Sequence, residues 1–224
     1  MLRVFSSPPT PSPTTPFRRR QSVITLVLVA GFLAVTIVAI RHRPETSERR
    51  SLDALLSSAR IIDHRTTILG YQRDKFGDGW ARSPTADGTW CTTRQHVLRE
   101  QLDDIKTADT CDVVGGRGLD PYTGKSLTIG SIDIDHIVPL AAAWDLGAAQ
   151  WSRQERMSFA NDRRRNLVVT DSHVNRTKSD KTPEGWMPPS TRQACWYATT
   201  YAKVIVAYDL ALTKRDANAL RDAC

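Results

Sequence analysis

The sequence predicts an α+β domain, and three observations carry that expectation. Helical periodicity stands near both ends, over 51–63 and 190–212. Between them, β-branched alternation over 127–138 and the run Leu167-Val168-Val169 read as strands. A helical insert separates the two strands and a further helix follows the second, which gives the order β–insert–β–α.

Taken in order, Leu52, Leu55, Leu56, Ala59 and Ile62 fall at helical spacing behind Ser51, an N-cap residue type. Residues 70–93 hold Gly, Asp and Pro and predict loop with short strands; 96–105 predicts a short helix. The segment 115–124 is rich in turn residues, with Asp120-Pro121-Tyr122-Thr123-Gly124 as its turn signal. Ile129, Ile132, Ile134, Ile137 and Val138 predict one strand over 127–138, which Pro139 ends. Leu140 to Leu146 predicts a helical turn closed by Gly147, and Ser152-x-x-Glu155 a capping box opening a helix to about Asn161. Residues 171–179 predict a helix, 190–212 the longest one, and Thr213-x-x-Asp216 caps a last short one.

The 224 residues suit one domain plus extras, and 40% apolar with 25% charged residues excludes a multi-span membrane protein or a wholly disordered chain. The net charge of +7 is uneven: residues 1–40 hold four Arg and no acid, leaving +3 for the rest. The charge is thus partly a property of the tail and does not by itself identify a nucleic-acid-binding domain. We divide the chain into a disordered Pro/Ser/Thr-rich basic tail (1–21), a transmembrane signal anchor (22–40), a linker and helix (41–59) and a folded domain (60–224). Val23 to Ile40 is uncharged; eighteen helical residues span about 27 Å, close to the hydrocarbon thickness. A cleaved signal peptide is the alternative, but Val38-Ala39-Ile40-Arg41 is a poor cleavage site. Arginines flank both ends of the run, so charge does not set its orientation. Cysteines do: Cys91, Cys111, Cys195 and Cys224 lack C-x-x-C spacing and predict two disulfides in an oxidising compartment, with the domain outside the cell. The local pairs Cys91–Cys111 and Cys195–Cys224 are the expected connectivity, four free thiols the alternative.

The segment from Asp133 to Pro189 carries the chemistry. Asp135-His136 at a strand end can place a metal ligand beside a general base. Neighbours in a regular strand point to opposite faces, so both serve one site only if the strand bends. Asn166 precedes the second strand. Asn175 lies nine residues on, one helical turn from Asp171, and its amide oxygen suits a hard cation. The joint pattern is D-H-x-x-P, then N-L before a strand, then N-x-x-K on a helix.

These residues resemble an HNH nuclease of the His-Me finger (ββα-metal) superfamily. Asp135-His136-Ile137-Val138-Pro139-Leu140, Ala143-Trp144, Trp151-Ser152, Phe159-Ala160-Asn161-Asp162, Asn175-Arg176-x-Lys178-x-Asp180 and Pro183-x-x-Trp186-x-Pro188 are similar to the C-terminal HNH domain of GmrSD-type restriction enzymes, found alone in exported actinobacterial proteins. The similarity extends over about residues 60–224. It implies a ββα-metal core with added helices, in which His136 is the general base and Asn166 braces the loop that holds it. It also implies that Asp135 and Asn175 bind one divalent metal, Mg²⁺ or Mn²⁺. Asn161 competes with Asn166 for the bracing role, and Asp133 shares the strand face of Asp135.

Arg163, Arg164 and Arg165 precede Asn166; Arg176, Lys178 and Lys181 follow Asn175. Both clusters are expected to neutralise phosphates, and Trp144, Trp151, Trp186, Trp196 and Tyr197 to serve as packing. The expectation is a membrane-anchored, outward-facing endonuclease of low sequence specificity, with nucleic acid, DNA foremost, as substrate. The alternative is an exported, non-catalytic nucleic-acid-binding protein that keeps the fold.

Overall fold

The computed structural model describes residues 47–224, which lie within one compact unit, Thr46–Cys224. The tail expected over 1–21, the anchor over 22–40 and the start of the 41–59 linker lie outside the described residues. Among the described residues no helix is long and apolar enough to cross a membrane.

The first described helix, α1, covers 47–58, so Ser51 lies inside it rather than capping it. It stops before the expected 63 because β1 (Arg60–Ile62) pairs in parallel with β9 (Ala211–Thr213), Ile61 opposite Leu212. A 3-10 turn (Arg73–Phe76) leads to the hairpin of β2 (Arg82–Pro84) and β3 (Trp90–Thr92). Helix α2 (Thr93–Gln101) opens on a capping box between Thr92 and Gln95. It ends earlier than expected, because the chain turns into a three-stranded antiparallel sheet of β4 (Asp103–Thr107), β5 (Val113–Leu119) and β6 (Ser126–Thr128).

The strand expected over 127–138 is broken. A 3-10 turn (Ile129–Ser131), closed by Ser131 Oγ donating to the Thr128 carbonyl, separates β6 from β7 (Ile132–His136). β7 pairs antiparallel with β8 (Leu167–Asp171), with Asp133 opposite Thr170, Asp135 opposite Val168 and His136 opposite Leu167. Between them lie α3 (Leu140–Leu146) and α4 (Arg153–Ala160), the latter with its Ser152–Glu155 capping box formed. After β8 comes α5 (Ser172–Lys178), whose N-cap Asp171 accepts from the amides of His173 and Val174.

Period-two alternation gives the β7–β8 pair two unlike faces. Ile132, Ile134, Leu167 and Val169 pack with Val97, Leu98 and Leu102 beneath α2. Asp133 and Asp135 stand on the other face with Val168 and Thr170, where α5 packs. That face looks to the main core, built around Tyr122, Val138, Phe159 and α6 (Thr191–Ala207). α6 buries Ala194, Tyr197, Ala198, Tyr201, Ala202 and Ile205 along one stripe and ends short of Leu212, because Asp209 turns at positive φ (46°) into β9. α7 (Lys214–Asp222) starts at Thr213, whose hydroxyl accepts from the Asp216 amide.

Both expected disulfides are present, Cys91–Cys111 and Cys195–Cys224. The second closes 29 residues and ties the start of α6 to the C-terminal residue. Chain entropy assigns such a loop about 3 to 4 kcal/mol. Cys195→Ala/Cys224→Ala is therefore expected to lower unfolding free energy by about 3 kcal/mol. Urea titration checks this, with the m-value rising because the unfolded chain without the bridge is more expanded, and an unfolding free energy equal to that of the wild type would contradict it.

Candidate functional site

The end of β7 is held by Asn166. Its carbonyl accepts from the Ile137 amide (2.8 Å), its Oδ1 accepts from the Val138 amide (2.9 Å), and its Nδ2 donates to the Val138 carbonyl (3.5 Å). Asn166 is wholly buried, so one side chain continues the ladder past the strand end and fixes the loop after His136. Asn161 does other work: it caps the C-terminal end of α4, and its Oδ1 accepts from the Ala81 amide (3.0 Å).

His136 is 6% exposed and stacks on Trp80, with ring centroids 5.6 Å apart and planes at 11°. Its Nε2 lies 2.9 Å from the Ala160 carbonyl oxygen. A carbonyl only accepts, so Nε2 carries the proton and Nδ1 is left as the acceptor. Burial holds the ring down to a pKa of about 3, against the Ala160 hydrogen bond, and the positive charges of Arg73 and Lys178 add to the depression. The imidazole is thus neutral throughout the physiological range. It lines a cavity of about 300 Å³ together with Arg73, Asp74, Gly77, Trp80 and Ala160. Gly77 turns there at φ 114°, a conformation that favours glycine, and a Cβ would meet Met157 at 3.3 Å.

The depressed value is also a stability statement. The folded-state pKa lies below the ordinary 6.5, so the contribution of the neutral ring is complete above about pH 6.5 and is lost as pH falls toward 3. Unfolding free energy is expected to drop by up to about 1.4 kcal/mol per pH unit in that window. The same urea titrations on His136→Ala should give a shallower slope; equal slopes would refute the assignment.

The opposite face of β7 holds a polar cluster. Asp135 Oδ2 accepts from Tyr122 Oη (2.7 Å) and pairs with Lys178 Nζ (2.8 Å). Lys178 is wholly buried, and its Nζ also donates to the His136 carbonyl (2.9 Å). Burial pulls its pKa below the usual lysine value, with Asp135 opposing. Asn175, one turn earlier on α5, donates from Nδ2 to Asp133 Oδ2 (3.0 Å). The buried Tyr122 is delivered by Asp120, whose carboxylate accepts from the Tyr122 amide and the Thr170 hydroxyl and so fastens the 120–124 turn to β8.

Two expectations are corrected here. Lys178 does not face nucleic acid: it lies three residues from Asn175 on the same face of α5, turned onto β7, and its ammonium is consumed by Asp135. Nor does β7 bend. It stays in register through His136, so the imidazole and the Asp135 carboxylate stand on opposite faces, linked through Lys178. The donor set still suits a hard divalent ion. Asp133, Asp135 and Asn175 each keep one oxygen without a hydrogen-bond partner among the described residues, and the Lys178 ammonium already occupies Asp135 as an internal cation. Among the described residues there is no group of three or more His, Cys, Asp or Glu side chains placed to hold a metal.

The basic clusters separate. Arg163, Arg164 and Arg165 line a groove that includes Ile137. Arg176 is exposed on α5, whereas Lys181 donates to the Thr177 carbonyl (2.7 Å) and lines a different depression of mixed charge, with Asp63, Asp180 and Glu184. His173 is exposed. Sequence reasoning missed Trp80 and Arg73, which sit in a Gly/Asp-rich segment that reads as plain loop. It placed Tyr122 in its turn without the contact to Asp135.

Compared with known proteins, the chain matches the family model for the C-terminal domain of GmrSD restriction endonucleases over residues 74–223. It is 40% identical over 198 residues to an uncharacterized secreted protein of Arthroderma benhamiae, covering 86% of this chain and 94% of that protein. No solved structure matches.

Proposed function

The chain belongs to the family of the C-terminal domain of GmrSD restriction endonucleases, and from that premise we propose that it is a metal-dependent endonuclease hydrolysing phosphodiester bonds with little sequence specificity. The observation that carries this reading is the state of His136: neutral, stacked on Trp80, Nε2 pinned to Ala160, Nδ1 free to accept. Nδ1 takes a proton from water as its oxygen attacks phosphorus, the bond from phosphorus to the 3′ oxygen breaks and that oxygen takes a proton from solvent, while Asn166 keeps the following loop from shifting the ring. Asp133, Asp135 and Asn175 would hold one Mg²⁺ or Mn²⁺. Bound there, such an ion would supply charge neutralisation at the scissile phosphate. Arg176 and the 163–165 arginines meet phosphates, a salt-sensitive and sequence-independent term.

Residues 60–224 form the nuclease-like domain in this reading. The two disulfides and the secreted relative support an extracellular domain, and residues 22–40 hold it to the membrane. Two observations favour a second reading, non-catalytic nucleic-acid capture: the charge of Asp135 is already matched by buried Lys178, and the imidazole leaves β7 on the face opposite Asp133 and Asp135.

Plasmid DNA and single-stranded RNA, incubated with the oxidised chain in Mg²⁺, Mn²⁺ or EDTA, separate the two. Cutting that needs the cation supports the nuclease. Tight binding without cutting in any metal supports capture. Neither binding nor cutting would sink both.

A further inference from the structure

The groove that holds the 163–165 arginines has a second wall. Trp196, Thr200 and Lys203 fall at i, i+4 and i+7 on α6 and face it. Leu167, Val168, Val169 and Ile137 also line it, Ile137 being the residue after His136, and its volume is about 460 Å³. Four cations line the groove and no acid does. Arg163 is paired with Glu100 (2.7 Å) and Arg165 with Asp162 (3.2 Å). The side chains of Arg164 and Lys203, both exposed, make no hydrogen bond or ion pair among the described residues.

Trp196 is the exception among the aromatics expected to pack. Tyr197, its neighbour, is wholly buried, whereas Trp196 is 39% exposed and rests against Tyr122 with centroids 6.2 Å apart. Its backbone is pinned by the adjacent Cys195–Cys224 bridge, which limits the ordering entropy a bound ligand would have to offset. Exposed Leu119 extends the apolar strip. A pinned, exposed indole among unpaired cations is the combination that binds unstacked bases and their phosphates.

We propose that this groove binds a single-stranded stretch of nucleic acid, with Trp196 stacking a base and Arg164 and Lys203 contacting phosphates. The proposal rests on the nucleic-acid reading above and names the form of the substrate. In a duplex the base faces are covered, so the indole has a partner only where a strand is unpaired. A strand lying on Ile137 passes beside the end of β7.

The test is binding of a fluorescein-labelled short oligothymidylate to the full oxidised chain in EDTA, read by anisotropy over a salt series, so that cleavage plays no part. Trp196→Ala is expected to weaken binding about tenfold or more, and Trp196→Phe to restore most of it. Arg164→Ala/Lys203→Ala should lower the slope of log affinity against log salt by about 1.4. A duplex of equal length should bind without sensitivity to Trp196. Urea midpoints report that each variant is folded; were Trp196→Ala to unfold, Trp196→Phe and the cation pair still decide. If the wild-type chain binds oligothymidylate and the variants bind equally, the groove is overturned and the nucleic-acid reading stands. If duplex binding is just as sensitive to Trp196→Ala, the single-strand assignment is overturned. If the wild-type chain binds no nucleic acid, both fall.

Discussion

His136→Ala is expected to reduce phosphodiester cleavage by about 100-fold to 10,000-fold, the range that a positioned general base supplies. The ring meets the requirements of a base in three separate ways. Its protonation state is correct at neutral pH because burial holds the pKa near 3. Its tautomer is fixed because the Ala160 carbonyl can only accept. Its plane is fixed by Trp80, at 11° to it. A base with so low a pKa is weak in driving force, yet wholly unprotonated, so the activity of the wild type should not fall on the acid side until the fold itself is lost. Trp80→Ala should cost less than His136→Ala, because it loosens the ring without removing it, and Trp80→Phe less again. The acid face is separate, which gives the series an internal control. His136→Ala should still respond to Mg²⁺ or Mn²⁺ by thermal stabilisation, while Asp135→Asn should not. A folded His136→Ala protein that cuts plasmid at the wild-type rate would remove His136 from the chemistry.

The parts of the fold that were legible in the sequence are those set by local pattern. The alternation of Ile132 and Ile134 with Asp133 and Asp135 fixes which face of β7 is apolar, and the capping residues Ser152, Asp171 and Thr213 start α4, α5 and α7 where expected. Two kinds of feature were hidden. β1 and β9 pair across about 150 residues of chain, so neither short segment announces itself as a strand. β5 contains Gly115, Gly116 and Gly118, which read as turn residues. They stand in a strand that packs closely on the residue ending α2: a Cβ on Gly118 would lie 2.9 Å from Leu102 Cδ2, which would have to shift. At the site, Arg176-x-Lys178-x-x-Lys181 looks like one basic surface, and only the placement of α5 on β7 divides it. Helical spacing does put Lys178 with Asn175, but the sequence cannot say that this face is the covered one. The Asp135-His136 pair shows the same limit: adjacency in sequence says nothing of which side of the strand each residue serves.

Lys178→Met is expected to destabilise the fold by about 3 to 5 kcal/mol, the usual penalty for leaving a buried charge without its partner. The ammonium is wholly buried and bridges Asp135 Oδ2 and the His136 carbonyl, so its loss strands a carboxylate that keeps only the Tyr122 hydroxyl. The penalty belongs to the unpaired charge rather than to the lost methylene packing, which Met largely replaces. The double variant Asp135→Asn/Lys178→Met should therefore recover most of the loss, with a coupling of about 2 kcal/mol or more in the mutant cycle. Lys178→Arg should not rescue, since a wholly buried site has no room for the wider guanidinium. The affinity of folded Lys178→Met for DNA, and its salt slope, should match the wild type, in contrast to any phosphate-contacting cation. The same substitution bears on the metal. With the internal cation gone, the Asp135 carboxylate has no cationic partner, so Mg²⁺ or Mn²⁺ should stabilise Lys178→Met more than the wild type. Urea titrations of the four proteins of the cycle, with and without the divalent ion, measure all of this. If Lys178→Met is as stable as the wild type and indifferent to the ion, the Asp135–Lys178 pair neither supports the fold nor guards a metal position.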